Sequence, residues 1–70
     1  MKYGARNQFV GEVVEIKKGS LMCQVTLKAA GGALVSSVMT LDSLKDLGIK
    51  KGSRVRAVVK AVNVLLTRDA

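Results

Sequence analysis

The sequence has no proline, no histidine and no tryptophan, and it has one tyrosine and one phenylalanine. With so few aromatic side chains, the core has to be built from valine, leucine, isoleucine, alanine and methionine. Valine recurs along the chain, and β-branched side chains pack better on a pleated sheet than on a helix. The composition therefore favours a β-rich fold.

The lack of histidine and the presence of a single cysteine, Cys23, exclude several kinds of site. One cysteine cannot form an internal disulfide, and imidazole and thiolate are the usual ligands of zinc, copper and iron. We therefore predict no metal-cation site, and the cysteine usage suits a reducing, cytoplasmic setting. Asp42 and Asp46 are interpreted as surface charges, so without a histidine base we also predict that the protein is not an enzyme.

The chain is short and strongly basic. Its 70 residues suit a single domain over residues 1–70, with a marginal core that a second subunit would extend. No stretch reaches the ~18 apolar residues that a membrane-spanning helix needs. Twelve lysine and arginine residues against five acidic residues give a net charge of +7. This excess predicts an anionic partner, which can be nucleic acid, an acidic surface or a small oxyanion.

Three strands are predicted in the first part of the chain. The first covers about residues 9–17, and a tight turn separates it from a second at 21–29, where apolar and polar residues alternate. The glycine pair at 31–32 predicts a hairpin turn, and a third strand follows at about 34–39.

The pattern then changes to helical spacing. Leucines recur every three residues from Leu41, Thr40 stands where an N-cap belongs, and Gly48 is placed to end the helix. The valine-rich residues 54–67 predict one or two closing strands. The predicted order is β-β-β-α-β-β, an all-β fold with one short helix, which suits a small OB-like five-stranded barrel.

Lys60 is the most informative residue, because it lies within a run of valines. If residues 58–66 form one strand, Lys60 shares a face with Val58, Val62 and further aliphatic residues. A lysine buried there needs an anion or a carboxylate. The alternative is that Lys60 turns outward, or that its stem covers apolar surface while its ammonium stays in water. The other basic residues are interpreted as solvated, Arg54 and Arg56 among them.

Two other places offer donors suited to an anion. Thr40 and Ser43 put hydroxyls beside free N–H groups at the predicted helix N-terminus, although plain capping is the alternative. Arg6 offers a planar guanidinium that fits a tetrahedral oxyanion, and Asn7 can fix the backbone beside it. The alternative for Arg6 and Asn7 is a frayed N-terminal tail.

Together these segments resemble the molbindins, a family of small molybdate-binding proteins. The resemblance lies in "ARNQ" at 5–8, "GEVVEIKKG" at 11–19, "GG" at 31–32 and "TLDSLKDLGIKKGSRVRAVVKA" at 40–61. It implies an OB-like barrel assembled as a homohexamer, a trimer of dimers, with oxyanion sites between subunits. The implied role is intracellular molybdenum storage and homeostasis.

The resemblance also implies the residues of the site. Two cations of one subunit and two hydroxyls of its neighbour would bind molybdate, or tungstate, with no organic cofactor: Arg6, Lys60, Thr40 and Ser43. Backbone N–H groups are further candidate contacts, those of Gly4, Ala5 and Ala61. The family usually has serine where this chain has Gly4, so one hydroxyl donor is missing.

Two other functions remain open. An OB-like module with this charge can bind single-stranded nucleic acid, although such modules stack bases on exposed aromatic side chains and this chain has only Tyr3 and Phe9. Strongly salt-dependent oligonucleotide binding would favour that function. The second is an oligomerisation module that has lost its ligand, in which the change Lys60→Ala would leave ligand behaviour untouched.

Overall fold

The computed structural model of the chain describes residues 7–69. Its four strands are β1 (Asn7–Lys18), β2 (Met22–Ala29), β3 (Leu34–Thr40) and β4 (Arg54–Val59), and its helix is α1 (Leu41–Leu47). All strand pairs are antiparallel, and the sheet has the order β3-β2-β1-β4. Single 3₁₀ turns occupy Ala30–Gly32 and Ala61–Asn63. Within residues 7–69 no helix is long and apolar enough to cross a membrane.

The first three predicted strands and the predicted helix are confirmed. Thr40 is the N-cap of α1, and Gly48 ends the helix in the left-handed conformation, with φ at 66°. The Gly48 N–H donates to the carbonyl of Lys45 at 3.1 Å, so one of the last free carbonyls of the helix is satisfied. The 31–32 glycine pair also lies in the connection between β2 and β3, where both residues have positive φ.

Strand β1 joins the two halves of the sheet, because its first half pairs with β4 and its second half pairs with β2. A β-bulge between Val13 and Glu15 interrupts its register with β2. Such a bulge increases the local twist of a strand, and residues of both edge strands, β3 and β4, line one groove. The sheet is therefore curled into a half-barrel with an open side between β3 and β4.

The core lies on the concave face of this half-barrel. Val13 of β1 is fully buried, and it packs in one cluster with Cys23 and Val25 of β2 and with Leu44 of α1. Leu44 is the one buried residue of the helix, and the half-buried Leu41 packs against the same cluster, so α1 closes one end of the concave face. Cys23 is free and buried, as a small apolar core residue.

The predicted fifth strand is wrong, because the described chain forms four strands. Strand β4 ends at Val59, the backbone turns at Ala61–Asn63, and residues 64–69 form no regular structure. A strand exists only where it pairs with an edge, and this segment pairs with neither β3 nor β4. Its leucines stay in solvent, with Leu65 88% and Leu66 86% exposed.

The prediction that Lys60 shares a strand face with Val62 and the residues beyond it is wrong for the same reason. Lys60 follows the last residue of β4 and is the N-cap of the 3₁₀ turn, with an extended backbone. Its side chain is exposed, which is the outward-facing alternative drawn from the sequence.

Candidate functional site

The two predicted hydroxyls lie together at the start of α1. The backbone N–H of Ser43 donates to Thr40 Oγ1 at 3.1 Å, and the Thr40 hydroxyl donates to Ser43 Oγ at 2.9 Å. Thr40 is thus a capping residue, and its hydroxyl proton is used within the turn. The Ser43 hydroxyl proton is left free to donate outward, and both side chains are exposed.

A shallow groove runs past this hydroxyl pair, between the β1–β2 turn and the first turn of α1. Ser20, Leu21 and Met22 form one wall, and Thr40, Leu41 and Asp42 form the other. Asp42 is the acidic residue of the first turn, where its carboxylate complements the positive end of the helix. The same carboxylate repels any anion that approaches the hydroxyls.

Lys60 lies at the end of the sheet where β1 begins. It follows Val59, the residue that pairs with Asn7, the first residue of β1. Arg6 and the two predicted backbone contacts Gly4 and Ala5 lie outside the described residues. The remaining predicted backbone contact, Ala61, directly follows Lys60 and opens the 3₁₀ turn.

One chain does not bring the hydroxyl pair and Lys60 together. Thr40, the last residue of β3, pairs with Met22 of β2. The next residue of β2 pairs with Lys18, the last residue of β1, so the hydroxyls lie near the end of β1. Strand β1 has 12 residues, so its two ends are up to about 35 Å apart along the strand. A tetrahedral oxyanion reaches its donors at about 3 Å.

Sequence reasoning missed one side chain near Lys60. Arg56 Nη1 donates to Gln8 Oε1 at 2.7 Å, across the pairing of β4 with β1. Arg56 is exposed, as the sequence predicted, but its hydrogen bond to Gln8 was not predicted. The sequence shows that Arg56 alternates with Arg54 and precedes Lys60 by four residues. It does not show the contact with Gln8, because Gln8 lies 48 positions away in the chain.

A second feature is the apolar groove along the open side of the half-barrel. Val25 and Leu27 of β2 form its floor, Val35 belongs to β3, and Val55 and Val59 belong to β4. The groove thus lies between two edge strands whose outer backbone groups have no neighbouring strand within the described chain. It has the position that a fifth strand would take in a closed barrel.

The described residues hold no group of three or more histidine, cysteine, aspartate or glutamate side chains that would suit a metal cation. Among residues 7–69 one ion pair is present, between Lys17 Nζ and Glu15 Oε1 at 3.9 Å. Most of the basic side chains therefore have no carboxylate partner in the described chain. The donors at both ends of the sheet suit an anion and not a cation.

Comparison with known proteins connects this fold to molybdenum. Residues 4–66 match the TOBE domain family. The chain is 46% identical to molybdenum-pterin-binding protein 3 of Clostridium pasteurianum over 66 residues, which cover 94% of this chain and 97% of that protein. That relative carries the name of a binding protein and not of an enzyme.

Solved structures agree with this connection. MopII of Clostridium pasteurianum, in an apo form, superposes with a TM-score of 0.89 at 42% identity, covering 96% of this chain and 100% of MopII. The cytoplasmic molybdate-binding protein ModG, solved with molybdate bound, gives a TM-score of 0.89 at 37% identity. That match covers 93% of this chain and 46% of ModG, so this chain spans about half of ModG.

Proposed function

The chain belongs to the TOBE domain family, and we propose that it binds molybdate, with tungstate as a ligand of nearly the same size. The observation that carries this proposal is the likeness in fold and sequence to ModG, which holds molybdate in its solved structure. The proposed ligand also suits a chain with a net charge of +7.

The proposed site supplies donors only. Molybdate is a tetrahedral dianion that accepts hydrogen bonds through four oxygens and donates none at neutral pH. Guanidinium, ammonium, hydroxyl and backbone N–H groups match that requirement: Arg6, Lys60, Thr40 and Ser43, with the N–H groups of Gly4, Ala5 and Ala61. Phosphate is partly protonated at neutral pH, so its hydroxyl would meet donors of the site and not acceptors. Sulfate is smaller than molybdate, so it would contact fewer of the donors at hydrogen-bonding distance and bind more weakly.

The cations of the site come from one end of the sheet. Asn7 and Val59 are antiparallel partners. Arg6 precedes Asn7 by one position in the sequence and Lys60 follows Val59 by one, so both cations adjoin this pair in the chain. We propose that these two side chains hold one dianion between them.

The hydroxyls of the site come from a second subunit. Thr40 and Ser43 lie at the other end of the sheet from Lys60, and a strand of 12 residues separates the two ends. An oxyanion that contacts both groups therefore needs two chains. This separation supports a site at a subunit interface over a site within one subunit.

Self-association is also supported by two apolar surfaces of the chain that would fit each other. Residues 64–69 form no regular structure and expose apolar side chains at 64–66, and the groove between β3 and β4 lacks a strand. We propose a homo-oligomer in which this tail covers the groove of a neighbouring copy, and in which dimers of this kind assemble into a trimer of dimers. Burial of the tail would also enlarge the small core of each subunit.

The proposed role is intracellular molybdenum storage and homeostasis by a single domain over residues 1–70, without catalysis. A cytoplasmic location is proposed because the similar protein ModG is described as cytoplasmic. We further propose that the oxyanion binds without a pterin, although the similar protein of Clostridium pasteurianum is named for one. The proposed donors recognise oxygen atoms of an anion and offer no ring for stacking.

Calorimetric titration of the purified chain with molybdate, tungstate, sulfate and phosphate, in the absence of any pterin, tests the proposal. We expect micromolar or tighter binding of molybdate and tungstate and much weaker binding of the other two anions. Absence of binding for all four anions would contradict the proposal. Titration with a single-stranded oligonucleotide then tests the nucleic-acid alternative by its salt dependence.

The change Lys60→Ala provides the decisive variant. Loss of a cation that contacts a buried dianion costs about 3 kcal/mol, which weakens binding more than 100-fold. Lys51→Ala is the matched control, because Lys51 is an exposed lysine in the turn before β4. Molybdate binding that survives Lys60→Ala would place the ligand elsewhere on the protein.

A further inference from the structure

The face of β4 that points away from the concave core carries a row of alternating side chains, here called the outer row. Arg54, Arg56 and Val58 are exposed, and the residues between them are half-buried toward the concave face. Lys60 keeps an extended backbone after Val59, so the alternation continues to it. Three cations therefore follow one another on one face at intervals of two and four residues.

The two arginines of the outer row have different electrostatic surroundings. Arg54 lies directly opposite Glu12 of β1, and Glu12 also lies opposite Lys28 of β2. That carboxylate is already flanked by two cations. Arg56 lies opposite Val10, so it has no carboxylate directly across the strand pair.

The hydrogen bond of Arg56 sets the direction of its guanidinium. Gln8 is the partner of Val58, so Gln8 lies toward the Lys60 end of the strand pair, whereas Glu12 lies toward the other end. With Nη1 bonded to Gln8 Oε1 at 2.7 Å, the guanidinium is drawn toward Lys60 and away from Glu12. A neutral amide thus orients a cation and leaves its charge uncompensated.

Resting on the proposed function, we infer that Arg56 is a further positioning residue for the oxyanion, held by Gln8 so that its charge adds to that of Lys60. Gln8, which holds the guanidinium, is one cross-strand diagonal from the Lys60 position, about 7–8 Å. The guanidinium therefore lies outside direct contact with an anion on Lys60 but within electrostatic reach of it. The positive charges of Arg56 and Lys60 repel each other, and a dianion bound at this end of the sheet offsets that repulsion.

The inference is tested with the full chain by titrating molybdate into Arg56→Gln at low and at high salt. Near 0.02 M NaCl we expect molybdate to bind about three- to tenfold more weakly than to the unchanged protein. Near 0.5 M NaCl the loss should shrink to less than about twofold, because the charge acts over a distance that salt screens. A merely structural effect of the substitution would not depend on salt.

Three further variants separate orientation from charge. Arg56→Lys should keep most of the molybdate affinity, because lysine keeps the positive charge. Gln8→Ala should lower the affinity in part, because the guanidinium of Arg56 loses the partner that orients it. Arg54→Gln is the matched control, and we expect it to change the affinity less than about twofold, because Arg54 faces Glu12.

These titrations distinguish a failure of the inference about Arg56 from a failure of the proposed function. If the unchanged protein binds molybdate and Arg56→Gln binds it equally well at low salt, the inference about Arg56 is overturned while the proposed function stands. An equal loss in Arg54→Gln would also overturn it. If the unchanged protein binds no molybdate, both are overturned.

Discussion

At the scale of the residue, the side-chain donors of the proposed site that lie within residues 7–69 are ordinary surface groups in the single chain. Thr40 caps a helix, Ser43 has a free hydroxyl proton, and Lys60 lies in solvent. Each of these states is the less specific alternative that the sequence also allowed. In the single chain Thr40 is a helix cap, and titration with molybdate tests whether these residues also bind the anion.

Asp42 offers a residue-scale prediction, because it stabilises the helix and repels the proposed ligand. Asp42→Asn should lower the free energy of unfolding by about 0.5 kcal/mol, through loss of its interaction with the helix N-terminus. The same change should tighten molybdate binding about two- to fivefold, because a negative charge beside the hydroxyls is removed. Urea denaturation and calorimetric titration measure the two effects.

Asp46→Asn is the control for this change, because Asp46 lies in the last turn of the same helix. We expect its effect on molybdate affinity to be clearly smaller. Asp42→Asn with unchanged affinity would indicate that the start of α1 does not contact the anion.

At the scale of the element, local signals were sufficient for three strands and the helix. Period-2 alternation, the N-cap at Thr40 and the left-handed glycine at Gly48 act through neighbouring residues, so they are visible in the sequence. The sequence did not predict the close approach of β1 to β2 at Gly11. A Cβ atom added at Gly11 would overlap the backbone carbonyl oxygen of Lys28.

Gly11 gives the element-scale prediction. Gly11→Ala should destabilise the fold by about 2–3 kcal/mol, because a backbone carbonyl of the paired strand cannot move aside without breaking the ladder. Gly19→Ala serves as the control: its added Cβ would meet the Met22 carbonyl oxygen at 3.2 Å, and we expect a loss below about 1 kcal/mol. The midpoint of urea denaturation measures both, and equal midpoints would refute the explanation.

At the scale of the whole molecule, the main feature is an unfinished barrel. The groove between β3 and β4 exposes apolar side chains, and the tail that could cover such a groove extends into solvent. Leu65 and Leu66 are among the most exposed large hydrophobic side chains of the described residues. Exposed apolar surfaces of this kind mark interaction sites.

The molecular-scale prediction concerns this tail. The double change Leu65→Asp with Leu66→Asp should dissociate the proposed oligomer into monomers, because charged side chains cannot be buried in the groove. Light scattering after size-exclusion chromatography measures the mass. Leu34→Asp is the control, since Leu34 is 66% exposed and does not line the groove, and we expect it to leave the mass unchanged. An unchanged mass of the tail variant would contradict the proposed docking.

Composition and local pattern predicted the basic character of the protein, its β-rich core, the first three strands, the start of the fourth, and the helix with both of its ends. Those features depend on composition and on residues that are close in the chain. The fifth strand was predicted incorrectly, because valines show that a segment suits a sheet but not which edge it pairs with.

Only the tertiary structure decided where the predicted donors lie relative to one another. The register of β1 with β2 and β4 puts Thr40 and Lys60 at opposite ends of the sheet, and it pairs Gln8 with Arg56 across 48 positions. Such distances depend on strand pairing between remote segments, which no local pattern encodes. The half-barrel also leaves residues 64–69 unpaired, so the proposed site and the proposed assembly both need a second chain.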